Sequence, residues 1–207
     1  MELSERFRGY LPVVLDLETG GFDHQANPIL ELACCFVKMQ DDRLSIKSAE
    51  NWNVQPIAGM VVEPASLKVT GIDLDDPHRD AQDEASVLKE FFSLVRAEMK
   101  LQSCHRAILV AHNASFDQGF LHAACDRTGI KRNPFHPFST IDTVSLAAIA
   151  FGHTVLSESC HRAGLEFDGS KAHQAAYDAN RTAALFCKIA NESNFEFSPL
   201  RGVADKG

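Results

Sequence analysis

With 207 residues against the ~150 of an average domain, the chain has the length for one compact domain with long connections rather than two. Apolar residues make up 45% of it and charged ones 23%, proportions that exclude a disordered tail protein or a collagen-like repeat. Twenty basic against 28 acidic side chains leave a formal charge of −8, which argues against holding a polyanion through the global field; any such contact has to be local.

The apolar run 11–17, closed by Gly20 and Gly21, predicts a buried strand, and 29–39 predicts a second. Asp41 and Asp42 read as a turn within the polar stretch 40–56, and 55–62 is expected to be the third strand of an antiparallel meander. The segment 82–101 carries apolar residues at 85, 87, 88, 91, 92, 94, 95 and 99 with acids early and bases late, the pattern of a long amphipathic helix. A strand over 107–111 then passes into a helix over 115–129 ended by its glycine, an order that suggests parallel pairing. Pro134 and Pro137 predict a stiff loop over 133–138, followed by helices at 143–151, 155–163 and 175–191. Together these elements predict a mixed α/β fold with helices covering a central sheet.

Six cysteines form no C-x-x-C pair, so neither a zinc ribbon nor a dense disulfide scaffold is readable. The first residues lack the apolar core of a signal peptide, and no run of about 18 apolar residues follows. A cytoplasmic protein with reduced thiols and no membrane contact is expected. Local basic clusters are Arg6 with Arg8, the group Arg96, Lys100, His105 and Arg106, and Lys131 with Arg132; taken singly, each reads equally as solvated surface.

Asp16 and Glu18 interrupt the most apolar strand, and the twofold alternation of strand side chains points both to one face. Two carboxylates withdrawn from water repel each other, and a hard divalent cation such as Mg²⁺ or Mn²⁺ removes that cost. Gly20 and Gly21 directly after them are expected to let a substrate backbone come close. Asp117 falls in the first turn of a helix, where an acid is favoured for structural reasons alone, and Asn113 or Ser115 precedes it as a cap. His173 and Asp178 are five positions apart; on one helix their side chains would diverge by about 140°. If they share a site, His173 must lie off the helix; the preceding segment 168–172 reads as a mobile loop that leaves Asp178 fixed on the helix and His173 free to swing in. Its ordinary pKa near 6.5 suits a general base.

Taken together, Asp16-x-Glu18-Thr19-Gly20-Gly21, Asn113-x-x-Phe116-Asp117 and His173-x-x-x-x-Asp178 resemble, in order and setting, the three motifs of the DEDDh superfamily of proofreading-like exonucleases. The likeness runs from about 11 to 191. Within the superfamily the chain is most similar to the bacterial ribonuclease T group, through Arg6-Phe7-Arg8-Gly9-Tyr10-Leu11-Pro12-Val13-Val14, Arg106-Ala107-Ile108 and Lys131-Arg132-Asn133-Pro134-Phe135-His136-Pro137-Phe138.

This resemblance implies a ribonuclease H-like mixed sheet, an antiparallel meander plus parallel strands, flanked by helices. It implies one exonuclease domain over 1–207, with its core at about 11–191 and a tail at about 192–207. The implied activity is metal-dependent 3′-to-5′ removal of nucleoside 5′-monophosphates from tRNA, rRNA precursors and other stable RNAs, and from single-stranded DNA. Two Mg²⁺ ions per site, replaceable by Mn²⁺, would be held by Asp16, Glu18, Asp117 and Asp178, with His173 as base. Phe22, Phe116 and Phe138 would stack the terminal bases, Asn113 would contact substrate, and a homodimer would bring Arg6, Arg8, Lys131 and Arg132 to the partner's site. Ala65 and Val69 depart from the glutamate and phenylalanine expected of the group, which puts selection among 3′-terminal bases in question. Rival readings are a polymerase proofreading exonuclease, an oligoribonuclease, a phosphodiesterase of small nucleotides, and a nucleic-acid-binding module without catalysis.

Overall fold

Leu11, Val13, Leu15 and Leu17 alternate with Pro12, Val14, Asp16 and Glu18 along β1 (Tyr10–Thr19), so the two sets face opposite sides of the sheet. The computed structural model describes residues 2–193. β1 pairs antiparallel with β2 (Ile29–Gln40), which pairs antiparallel with β3 (Arg43–Asn53). On its other side β1 runs parallel to β4 (Arg106–Ala111), and β4 runs parallel to β5 (Phe135–Asp142). The five-stranded order is β3-β2-β1-β4-β5, the ribonuclease H-like mixed sheet that the sequence led us to expect.

Helices cover both faces. Leu17 pairs with Leu32 and Leu32 with Trp52, and Trp52 meets Phe91 at a ring distance of 6.0 Å, which places α3 (Glu84–Leu101) on the leucine face of β1. α4 (Ala114–Thr128) packs beside it. Val14 pairs with Cys35, whose neighbour is Cys187, so α7 (Ala175–Glu192) covers the opposite face, which carries Asp16 and Glu18. α5 (Thr143–Phe151) and α6 (Leu156–Arg162) pack against α7 around a small apolar cluster of Ala147, Cys160, Ala163 and Leu185. All six cysteines are buried and free. No helix among the described residues is long and apolar enough to cross a membrane.

Two expectations are corrected. The third strand is 43–53, not 55–62: Asp41 and Asp42 take left-handed φ values of 50° and 57°, forming a two-residue hairpin turn from which β3 leaves at once. β3 reads as polar because, at the sheet edge, it buries mainly Leu44 and Trp52. The 55–62 stretch instead leads into α2 (Pro64–Thr70), a helix that the sequence pattern did not reveal, as it did not reveal α1 (Leu3–Arg6). The second correction concerns 133–138: Phe135 opens β5, and the pairing slips between Ala107 and Leu109, opposite Pro137. An edge strand with a bulge accommodates a residue that lacks an N–H donor. The tail from 194 onward lies outside the described residues.

α3 and α4 are locked by Glu84, which is 3% exposed and accepts from Arg127 Nε at 2.7 Å in a two-bond pairing. Glu84→Ala removes the carboxylate and leaves a guanidinium that still reaches the His24 carbonyl at 3.2 Å. The expected loss is about 2 kcal/mol, less than the ~3–5 of a fully buried pair, measured as a lower urea midpoint with an unchanged slope.

Candidate active site

β1 and β4 are parallel, so their C-terminal ends share one edge of the sheet, where α/β proteins open their clefts. Asp16 and Glu18 lie near the end of β1, Asp117 in the first turn of α4, and Asp178 in the first turn of α7. Both helix termini favour an acid electrostatically. These four carboxylates and His173 line one cleft of about 320 Å³ together with Phe22, Glu63, Ala65, Ser66, Val69, Thr70, His112 and Phe116.

The carboxylates crowd one another. Asp16 is held well above the ordinary carboxylate range by withdrawal from water and then by Asp117, Glu18, Asp178 and Glu31. Burial, with Asp178 and Glu31 adding, pushes Glu18 up to about 8. Asp117 is also raised by burial, against the pull of the Asp117 and Leu17 backbone amides. Burial raises Asp178 as well, and His173 opposes it: the His173 N–H donates to Oδ2 at 2.8 Å. The other oxygen, Oδ1, is buried with no hydrogen-bond partner, a costly state for a carboxylate. Ligand atoms of Glu18, His173 and Asp178 lie within 4.8 Å of one another. A cluster dominated by carboxylate oxygens, one of them buried without a partner, fits a hard divalent cation.

His173 precedes α7 in a left-handed conformation, φ 65°, as a shared site demanded. The 168–172 segment is not an open loop throughout; it contains a 3-10 turn at Gly169–Lys171 capped by Asp168. Asn113 also adopts a left-handed conformation, φ 75°, at the start of α4, and its N–H donates to Asp142 Oδ1 at 3.1 Å. Of the two candidate caps, Asn113 occupies the N-cap position, without a side-chain cap bond.

Phe22 is 86% exposed and its ring meets Phe116 edge-on at 6.3 Å, giving the cleft an aromatic wall. Phe138 is 79% exposed on β5, against His136 and outside the cleft lining. Arg6, Arg8, Lys131 and Arg132 do not line the cleft either. Arg6 bonds to the Ala190 carbonyl, Arg8 lies 6.0 Å from the Tyr10 ring, Lys131 lines a separate hollow with Arg106 and His122, and the Arg132 carbonyl accepts from Arg96.

Gly21 lines the cleft, and neither Gly20 nor Gly21 has room for a side chain. A Cβ on Gly20 would stand 2.8 Å from Pro28 Cδ, and one on Gly21 would stand 2.5 Å from Asn27 Oδ1 and 2.6 Å from Glu63 Oε1. Sequence reasoning also missed Glu31 and His112. Glu31 pairs with Glu18 across the strands and accepts from the Ala175 N–H at 3.3 Å. Period-two alternation in β2, set in register with β1, is the signal that could have found it. His112 is fixed by Thr143 Oγ1 and the Thr154 carbonyl, both at 2.9 Å, and its position beside Asn113 gave no separate clue.

A family model described as Exonuclease (RNase_T) matches residues 13–186. The chain is 52% identical over 190 residues to a ribonuclease T of Hahella chejuensis, covering 91% of this chain and 87% of the relative. It is 48% identical over 190 residues to that of Histophilus somni, with the same shares covered. Among solved structures, the nuclease domain of 3′hExo, a DEDDh family member bound to rAMP, superposes with a TM-score of 0.68 at 20% identity, covering 88% of this chain and 92% of that one. The zinc-bound E. coli ExoI–ssDNA complex superposes with a TM-score of 0.68 at 18% identity, covering 89% and 41%. The solved structures share the fold and the curated relatives give the branch: the chain belongs to the ribonuclease T family of 3′-to-5′ exonucleases.

Proposed function

We propose that this chain trims the 3′ ends of tRNA and other stable RNAs, releasing nucleoside 5′-monophosphates, and that it also degrades single-stranded DNA. The observation that carries this reading is the convergence of Asp16, Glu18, Asp117 and Asp178, from three distant segments, beside exposed Phe22. Membership of the family implies dependence on a divalent metal ion; we assign two ions, Mg²⁺ with Mn²⁺ as a substitute. When bound, they would activate the attacking water and stabilise the entering and leaving oxygens of an in-line displacement.

The chain's own residues divide the remaining work. Asp16, Glu18 and Asp178 would hold one ion, and Asp16 would hold the other with Asp117 supporting it directly or through water. His173, exposed at the mouth with its backbone pinned by Asp178, takes the proton from the water. Phe22 and Phe116 stack the terminal bases, each such contact contributing about 1–3 kcal/mol. Phe138 and Asn113, both exposed, meet the substrate outside the aromatic wall. Because Arg6, Arg8, Lys131 and Arg132 stand away from their own cleft, a homodimer in which they grip RNA entering the partner's site supports an acidic chain's hold on a polyanion. We assign the whole chain to one exonuclease domain with its core at about 11–191, acting in the cytoplasm, where the buried free cysteines stay reduced.

Asp16→Asn should lower turnover on 3′-extended tRNA by about 10³-fold or more, the scale of a lost transition-state charge contact, while the thermal melt stays cooperative; an unchanged rate contradicts its role. Preference for a dinucleotide over the tRNA precursor overturns the substrate assignment.

Acidity gives a second test. Glu18 rises from 4.5 to about 8 in the metal-free fold, so the folded state binds more protons than the unfolded state between those values. Stability without metal must therefore fall as pH rises from about 4.5 through about 8. Melting in chelator should drop by about 10–20 °C across that window, and added Mg²⁺ should restore it with an affinity that grows with pH.

A further inference from the structure

Phe22 stands on the loop between β1 and β2 with 86% of its surface exposed, its ring edge-on to Phe116 at 6.3 Å. The loop turns on Asn27, which is 2% exposed. Asn27 Oδ1 accepts from the Asp23 N–H at 2.8 Å, one residue beyond Phe22, and its Nδ2 donates to the Val61 carbonyl at 2.8 Å. Val61 begins the short segment leading to Glu63, Ala65, Ser66 and Val69, which line the same cleft as Phe22. Backbone bonds run alongside, from Val61 N to Ala26 O at 2.9 Å and from Glu63 N to Gly20 O at 2.7 Å. One buried amide thus ties the aromatic wall to the α2 wall, and Gly21 lacks a Cβ where one would strike that amide.

We infer that Asn27 is a positioning residue that sets the gap between Phe22 and α2, and through it the binding of the 3′-terminal nucleotide. The substrate half of this inference rests on Phe22 stacking a base; the positioning half does not. A buried amide satisfied at both ends holds its partners more firmly than exposed loop bonds do.

The test is Asn27→Asp, which keeps the acceptor for Asp23 and replaces the donor to Val61 with an oxygen. If Asn27→Asp loses its cooperative melt, Asn27→Ala is read in its place. The backbone order parameter of Phe22 is expected to fall from about 0.85 to below about 0.6, and an unchanged value overturns the proposal. On a 3′-end oligonucleotide KM should rise about tenfold with kcat within about twofold, and in a Phe22→Ala background the same substitution should change KM less than about twofold. An equal KM change in both backgrounds overturns the link between Asn27 and Phe22. If Phe22→Ala alone leaves KM unchanged, the stacking reading and the substrate half of the inference fail, while the order parameter still decides whether Asn27 positions the loop.

Discussion

Mutual repulsion among carboxylates at the end of β1 is the constraint around which the molecule is arranged. Asp16, Glu18, Asp117 and Asp178 face one cleft, and Glu31 adds a fifth negative group from the adjacent strand. Such a cluster gains nothing as packing, and apolar residues of similar volume would be easier to bury. It persists because rigid elements hold it: two acids lie on a strand paired on both sides, and two lie in the first turns of helices whose amide dipoles face them. The scaffold carries a destabilising centre that a cation relieves, and this links hydrolytic chemistry to metal binding.

Much of this was legible in the chain. α3 and α7 are strongly amphipathic, β1 and β2 are nearly continuous apolar runs, and α4 is ended by its glycine, so the predicted bounds of all five differ little from the observed ones. The acid pair on β1 was visible because charge interrupts an apolar run. β3, α2 and β5 escaped because their signals are local and mixed. β3 is an edge strand with one wet face, α2 is only seven residues long, and the prolines of β5 look like loop residues until its bulged pairing is seen. Glu31 and Asn27 escaped for another reason. Their roles come from register and tertiary contact: Glu31 matters because it lies opposite Glu18, and Asn27 because Val61 folds back beside it. Neither relation is written in the neighbouring residues.

The acidic balance of the chain and a polyanionic substrate are reconciled by segregation. Asp16, Glu18, Asp117 and Asp178 converge on one cleft, while Arg106, His122 and Lys131, with Asp126, line a different hollow of about 620 Å³ at the far end of α4 and the start of β5. At physiological salt, fields fade over roughly 8 Å, so two such regions act as separate surfaces rather than cancelling each other. A formal charge of −8 therefore describes the average molecule and not the surface that meets a nucleic acid.

The bulge around Pro137 has a consequence for how the sheet ends. β5 is an outer strand, and an outer strand with a full row of free amides invites a foreign strand to dock and extend the ladder. A missing N–H at Pro137 and the slipped pairing beside it break that row. On this flank the sheet ends in an irregular rim, a poorer template for a docking strand than an unbroken ladder.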